Sequence, residues 1–388
     1  MASTTDTRSG SAAVASVILV GVIGGWASVI MPGLLSALTA AKGITPAGAS
    51  ILGSTELVGM TIAIVASAFF IERIRGRRLV TAAICALAIG QFLSMQVGSY
   101  ALLVGTRLLT GLGEGALVTA MSVAASRMPS PDKIFGLYLA ALLGASTVFF
   151  HVLPDLTGAV GARGVFGALA ALAIVSAVAL AWFPNNFDGP AVTVGPPAKS
   201  RSFLLRVLPA VLGLLATLLL LMGFGAFWPL VGQIAISRGI DVADANGAMA
   251  MATFSGIASG LFVSRVGTRA GRKVPLIVGS SALIATIALF LVTSQVRPFT
   301  LLTVSFMFWW ILTIPYYIGV MAELDRTGKL ASFSFATQTF GIALGQALSA
   351  YLVRGVSYTL TMGASIVLIA FALVGILFAI STQTREAH

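Results

Sequence analysis

The sequence predicts an all-α polytopic membrane protein, with twelve transmembrane helices in two six-helix bundles related by pseudo-symmetry. The first observation behind this prediction is composition: 58% of the 388 residues are hydrophobic and 9% are charged, whereas soluble domains carry about 25% charged residues. The second is the recurrence of apolar segments long enough to cross a bilayer, which takes about 20 residues per helix. The third is a loop pattern that occurs once in each half of the chain.

Short polar breaks separate the apolar segments, and twelve of these segments reach the length of a membrane span. They cover residues 12–36, 48–71, 79–97, 100–125, 134–157, 163–183, 207–236, 244–264, 274–294, 298–322, 330–353 and 356–380. The polar stretch before the first span lacks the basic region, apolar core and cleavage site of a secretory signal, so we expect this span to be retained. Cys85, the only cysteine, falls within the third span, where we expect a thiol packed among apolar neighbours.

The distribution of Lys and Arg predicts the orientation of the spans. With the N-terminus in the cytoplasm, cytoplasmic segments hold 17 of the 23 Lys and Arg residues, and external loops hold five. This excess follows the positive-inside rule, so we expect a multi-pass protein of the cell (inner) membrane with both termini in the cytoplasm. The rule also accounts for the net charge of +11, and no nucleic-acid partner is needed to explain it.

The longest polar break reads PNNFDGPAVTVGPPAKSRS and covers residues 184–202. Its Pro and Gly residues disfavour a helix, and its basic residues place it in the cytoplasm. We therefore predict an N-terminal bundle at 1–183, a cytoplasmic linker at 184–206 and a C-terminal bundle at 207–388.

The loops after spans two and eight resemble each other. They read IERIRGRR (71–78) and SRVGTRAGRK (264–273), and their Gly-Arg-Arg and Gly-Arg-Lys triplets are 195 residues apart. Positive-inside charge alone can account for either loop, whereas recurrence at an equivalent place favours duplication. Repeated halves with a substrate site between them, near the midplane, are typical of secondary transporters.

Twelve spans, a central cytoplasmic loop and these two basic loops resemble the major facilitator superfamily over essentially the whole chain. The superfamily's usual loop pattern is Gly-x-x-x-Asp-Arg-x-Gly-Arg-Arg. Here Thr268 takes the acidic position of the second copy, and Glu72 is displaced by one residue in the first. The resemblance implies a central cavity lined by spans one, four, seven and ten.

Span four contains the segment TRLLTGLGEGAL, which places Arg107 and Glu114 seven residues apart among glycines. Seven residues advance a helix by about two turns and ~10.5 Å, so both side chains lie on nearly the same face. An ionised group at the bilayer centre costs on the order of 3 kcal/mol, and these two therefore need a partner or a polar cavity. The segment resembles the superfamily's pattern Arg-x-x-x-Gly-x-Gly-x-Gly. Its Arg-to-Glu spacing is similar to that of the sialin-like organic anion symporters and the spinster lipid transporters.

Glu56 in span two is the candidate partner of Arg107. Counted from the outer ends of their spans, both side chains lie ~10–12 Å deep at 1.5 Å per residue. Two interpretations stay open: a structural ion pair that ties two helices together, or a pair that exchanges partners as substrate and proton come and go. In the second, Arg107 attracts an anionic substrate, while Glu114, and after it Glu56, carries the proton.

Aromatic and amide side chains supply further candidates for substrate binding. Spans one, seven and ten contribute most of them, and span eleven contributes the last: Trp26, Trp228, Gln233, Trp309, Tyr316 and Gln338. Packing against lipid or a neighbouring helix is the alternative for each. His151 and Asp155 are one turn apart on span five, without a second His or Cys nearby to complete a metal site.

The leading hypothesis is a secondary active transporter that imports a small organic anion, an aromatic or partly apolar carboxylate, with protons by alternating access. Proton-coupled efflux of drugs or metabolites is the alternative, although span five lacks the Gly-Pro-x-x-Gly-Gly signature frequent in drug–proton antiporters of the superfamily. A non-transporting membrane sensor is a remote alternative, since we expect no appended soluble domain. We expect no enzyme, because no nucleophile–base arrangement is found. We also expect no cofactor or metal, and a monomer whose partners are its substrate, protons and the lipid bilayer.

Overall fold

The computed structural model describes residues 4–71, 74–185, 203–267, 269, 271–324, 334–353 and 357–386. Most of the predicted linker lies outside the described residues, as do Glu72 and Thr268 of the two repeated loops. Every regular element of the described part is helical. The hydrocarbon core of a bilayer contains no water to bond backbone N–H and C=O groups, and a helix pairs these groups within its own segment.

The helices are numbered in chain order. They are α1 (Thr4–Lys42), α2 (Pro46–Phe70), α3 (Gly76–Gln96), α4 (Tyr100–Ser126), α5 (Pro131–Ser176), α6 (Phe203–Phe227), α7 (Val231–Ser237), α8 (Val242–Val266), α9 (Lys273–Phe290), α10 (Val296–Leu324), α11 (Ser334–Leu352) and α12 (Thr359–Glu386). Short 3-10 segments follow α5 at Ala177–Ala181 and α6 at Trp228–Leu230.

These helices correspond to the twelve predicted spans. α5 consists of two arms, spans five and six, that meet at Gly161, whose φ of 67° and ψ of 177° are essentially restricted to glycine. Span seven comprises α6, the 3-10 segment and α7, because Pro229 lacks an N–H group and interrupts the α-helical hydrogen bonds. Within the described residues, eleven helical segments are long and apolar enough to cross a membrane, and α11 is the helix of span eleven. The predicted fold class is confirmed.

The chain divides into two compact units. The first comprises Met1–Ile44 and Thr55–Ala191, and the second comprises Thr45–Ser54 and Val192–His388. In the first unit α1 and α3 each pack on α4 and α5. In the second, α6 packs on α11 and α12, while α10 packs on α8 and α9.

Glycines bring α2 and α4 into backbone contact in the first unit. A Cβ atom added at Gly111 would meet the carbonyl oxygen of Glu56, and one at Gly115 would meet that of Met60. Gly59 on α2 is in the same way pressed against the carbonyl of Leu108. Small residues allow this approach between membrane helices, and the close contact sets Glu56 opposite the inward face of α4.

Hydroxyl groups and aromatic rings connect the helices of the second unit. Ser255 Oγ donates to the Val304 carbonyl at 3.0 Å and Ser259 Oγ to that of Phe308 at 2.7 Å, so that α8 is tied to α10. The hydroxyl of Ser349 on α11 bonds the Ala226 carbonyl of α6 at 2.8 Å. Aromatic rings of α6 and α10 stack within a core that is mainly aliphatic and, among the described buried residues, carries no charged side chain.

The prediction of a packed thiol at Cys85 is wrong, since this side chain is exposed on α3. The buried stripe of α3 includes Ala83, Ile84, Leu87 and Gln91, and position 85 falls outside it. The outward face of a membrane helix meets lipid, which is as apolar as a protein interior. An apolar residue therefore gains little from facing inward, and its hydrophobicity does not reveal its direction.

Candidate functional site

Three charged side chains are buried in the first unit, and they form what we call the charged cluster: Glu56 of α2 with Arg107 and Glu114 of α4. Their side chains are only 1%, 1% and 3% exposed, and they are the only buried charged residues among the described side chains. The two residues of α4 face the same interior, as their spacing predicts. Because isolated ions are costly to bury, the contacts within the cluster decide what it can do.

Arg107 is held by groups from three helices. Its Nη1 lies 3.2 Å from Oε1 of Glu56, so the ion pair that the sequence suggested is present. Its Nη2 donates to Oε1 of Gln91 at 3.1 Å and to Oγ of Ser94, both on α3. The ring of Phe166, on the second arm of α5, lies 4.7 Å from the guanidinium carbon, at a distance typical of a cation–π contact.

The two carboxyl groups of the cluster are neighbours. With both ionised, Oε2 of Glu56, Oε2 of Glu114 and Nε of Arg107 have no hydrogen-bond partner among the described residues. The carboxyls of Glu56 and Glu114 lie within hydrogen-bonding reach of each other. Ionised carboxyl oxygens only accept, so this hydrogen bond forms only when one of the two holds a proton. The arrangement is chemically suited to binding and releasing a proton.

A small cavity adjoins the carboxyl pair inside the first unit. Glu56, Gln91, Glu114 and Trp26 line it together with apolar residues of α1, α3 and α5. The Trp26 ring is fixed there by a 3.0 Å hydrogen bond from Nε1 to Ser146 Oγ. The cavity has room for about one or two water molecules, which suits proton access better than an organic ligand.

The aromatic substrate candidates of the second unit contact different neighbours. Trp228 is fully buried and stacks on Phe224 and Phe306, with ring centroids 6.2 and 6.1 Å away. Trp309 is half-buried and meets Phe308 edge-on at 5.4 Å. The Tyr316 hydroxyl donates to the Gly267 carbonyl at 2.8 Å, at the end of α8.

The two amide candidates of this unit differ in their surroundings. Gln233 is buried; its Oε1 accepts a hydrogen bond from the Tyr358 hydroxyl at 3.3 Å, and its Nε2 has no partner among the described residues. Gln338 is half-buried on α11.

On α5 of the first unit, His151 and Asp155 are both exposed. Within the described residues, no group of three or more His, Cys, Asp or Glu side chains could hold a metal ion.

Sequence reasoning missed the groups that complete the surroundings of Arg107: Gln91, Ser94 and Phe166. A signal for two of them was present, because Gln91 and Ser94 are polar residues three apart in an apolar span and therefore share a face of the helix. Nothing in the sequence indicates that this face meets Arg107. Phe166 is one of many aromatic residues, and only the packing distinguishes it.

A buried charged cluster within an all-helical fold of many membrane spans is typical of polytopic transporters. A family model described as Major Facilitator Superfamily matches residues 15–324, most of the chain. The protein is therefore a member of the major facilitator superfamily and a transporter rather than an enzyme.

The solved structures include a match over nearly the full length. A crystal structure of the nucleoside transporter NupG superposes with a TM-score of 0.71 and 14% sequence identity, covering 95% of this chain and 99% of that chain. At this identity the likeness concerns the fold alone. No curated protein matches the sequence.

Proposed function

We propose that the protein is a proton-coupled secondary transporter that imports a small organic anion by alternating access across the cell (inner) membrane. The charged cluster is the observation that carries this proposal, because it places two carboxyl groups and one guanidinium together in a nearly dry interior. Glu114, and with it Glu56, is the proton carrier.

Charge neutrality explains how the cluster binds a proton. With Glu56 ionised and paired to Arg107, a proton on Glu114 makes the cluster neutral, whereas its loss leaves a net negative charge. Uncompensated charge in a protein interior costs several kcal/mol. The neutral, singly protonated state is therefore favoured, and the cavity beside Glu114 gives water a place from which the proton exchanges.

The same reasoning favours an anion as the substrate. A second proton, which reaches Glu56 through Glu114, would release Arg107 from its ion pair and leave the cluster with one positive charge. An aromatic or partly apolar carboxylate would restore neutrality, with Arg107 as the attracting group. Proton and anion then arrive together, which describes symport.

Uptake into liposomes containing the purified protein tests this proposal. With an acidic exterior, the wild type is expected to accumulate a labelled carboxylate such as benzoate, and Glu114→Gln is expected to fall to the level of empty liposomes. The amide variant should still exchange substrate across the membrane, because it mimics the protonated carboxyl. Asp155→Asn, the same chemical change at an exposed site of the same unit, should accumulate benzoate like the wild type.

Two results would contradict the proposal. Unchanged uphill uptake by Glu114→Gln would remove the cluster from proton coupling. Uptake of labelled uridine in place of every carboxylate tried would show that the substrate follows the nucleoside transporter rather than the charge of Arg107.

A further inference from the structure

The guanidinium of Arg107 is bound from two sides by groups of different kinds. On one side lies Glu56, whose charge changes when it takes up a proton. On the other lie Gln91 Oε1 at 3.1 Å and Ser94 Oγ, which are neutral at every physiological pH. Both α3 residues are almost fully buried, at 4% and 0% exposure.

We propose that Gln91 and Ser94 are positioning residues of the proton site: they fix the guanidinium while the carboxyls gain and lose a proton, and so set the pH of that exchange. The inference rests on the proposed function and adds the residues that regulate it. If Glu56 alone held Arg107, protonation of Glu56 would free the guanidinium to move. The neutral hydrogen bonds of α3 remain, so the positive charge keeps its distance from the carboxyl pair.

Ser94 is oriented for this role by its own hydrogen bond. Its hydroxyl lies 2.7 Å from the Gly90 carbonyl and 2.8 Å from Oγ1 of Thr106, and it donates its single proton to one of them. A lone pair of the oxygen is thereby directed to Arg107. Gln91 contacts the guanidinium and also lines the cavity beside Glu114, which makes it the stronger determinant of the two.

The described elements around the cluster bring no further charged group to it. α1 contributes Trp26, α3 contributes Gln91 and Ser94, and α5 contributes Phe166. Its charge therefore depends on the two carboxyls and the guanidinium, and a change in the position of Arg107 acts directly on proton binding.

Two substitutions of Gln91 should act in opposite directions. Gln91→Glu adds a third carboxyl that competes for Arg107, so the cluster should hold its proton to a higher pH. Gln91→Leu removes an acceptor from Nη2, which then turns toward Glu56 and Glu114 and stabilises their ionised forms. In Gln91→Leu the charged cluster should therefore lose its proton at a lower pH than in the wild type. A general loss of structure does not produce opposite shifts at one position.

Infrared spectroscopy of the purified full-length protein tests this inference without a substrate. The C=O band of protonated carboxyl groups is titrated with pH in heavy water, and the part lost in Glu114→Gln is assigned to the cluster. We expect the titration midpoint of this band to rise by about one pH unit or more in Gln91→Glu and to fall in Gln91→Leu, because a change in a nearby charge shifts the titration of a carboxyl group by about this amount. Gln346→Leu replaces a buried glutamine of the second unit that has no hydrogen-bond partner among the described residues, and should leave the midpoint unchanged.

The outcomes separate the two proposals. If Glu114→Gln removes the band but both Gln91 variants titrate like the wild type, or shift in one direction, the positioning role is overturned and the proposed function stands. If Glu114→Gln leaves the whole band unchanged, both fail. Should Gln91→Leu not fold, Ser94→Ala removes the other acceptor and is expected to shift the midpoint downward; an unchanged midpoint there also overturns the role.

Discussion

At the scale of single residues, Arg107 shows why a buried charge does not identify its own function. The side chain is 1% exposed and its two terminal nitrogens already have protein partners. An ion pair that only connects α2 and α4 would have this geometry, and so would a pair that opens when substrate arrives. A purely structural pair affects stability alone, whereas a pair that opens also affects transport. Measuring both properties in the single and double variants of Glu56 and Arg107 therefore separates the two roles.

The Glu56–Arg107 cycle is predicted to recover stability without recovering transport. Glu56→Gln or Arg107→Gln alone leaves a buried ion without its partner and should cost about 3–5 kcal/mol. The double variant removes both charges and should melt close to the wild type, yet remain inactive. Arg107→Lys should also fail in uptake, because lysine lacks the planar fork that bonds Glu56 and Gln91 together. Melting temperatures and liposome uptake measure the cycle, and an active double variant would show that Arg107 serves structure alone.

At the scale of helices, the contact between α2 and α4 positions the charged cluster. Gly111 faces the backbone of Glu56 itself. The spacing between α2 and α4 at this level therefore determines whether the Glu56 carboxyl can contact Arg107. Apolar burial contributes little here, because lipid would solvate either helix equally well. Close packing of small residues supplies the specificity instead.

Gly111→Ala is predicted to destabilise the first unit and to reduce transport with it. The added methyl group has to displace the Glu56 backbone, and overpacking of this kind costs about 1–3 kcal/mol. Gly105→Ala on the same helix meets nothing within 4 Å and is expected to be neutral or slightly stabilising, since alanine is the better helix former. Melting temperatures in detergent compare the pair; equal values would mean that α2 is free to move away from α4.

At the scale of the whole molecule, the distribution of Lys and Arg predicts which loops face the cytoplasm. All external loops together carry five of the 23 basic residues. The predicted orientation of the spans follows from this distribution. The exposed position of Cys85 on α3 makes its replacement by alanine a safe starting point for cysteine labelling.

Single cysteines in a Cys85→Ala background are predicted to report both termini in the cytoplasm. Ser99→Cys and Ser294→Cys, at exposed sites before α4 and before α10, should react with a membrane-impermeant maleimide added to intact cells. Ser130→Cys, between α4 and α5, should react only after the cells are opened. Labelling with the reverse pattern would invert the topology and contradict the positive-inside assignment.

The sequence by itself determined the helical class, the number of spans and the presence of charge inside the membrane. Each of these properties can be read from one continuous segment of the sequence. Twenty apolar residues in a row must form a helix in lipid, and residues seven apart on a helix must share a face. The pairing of Glu56 with Arg107 could be proposed as well, because equal depth follows from counting residues along two neighbouring spans.

Only the tertiary structure decided which faces of the helices meet. It turned Cys85 outward and brought Gln91, Ser94 and Phe166 to Arg107. In a soluble protein a polar outer face would have indicated the rotation of α3. In a bilayer the outer face is apolar, so it is the polar residues Gln91 and Ser94 that distinguish one face of α3. Which neighbours that face meets depends on packing and hydrogen bonds with residues that are distant in the sequence.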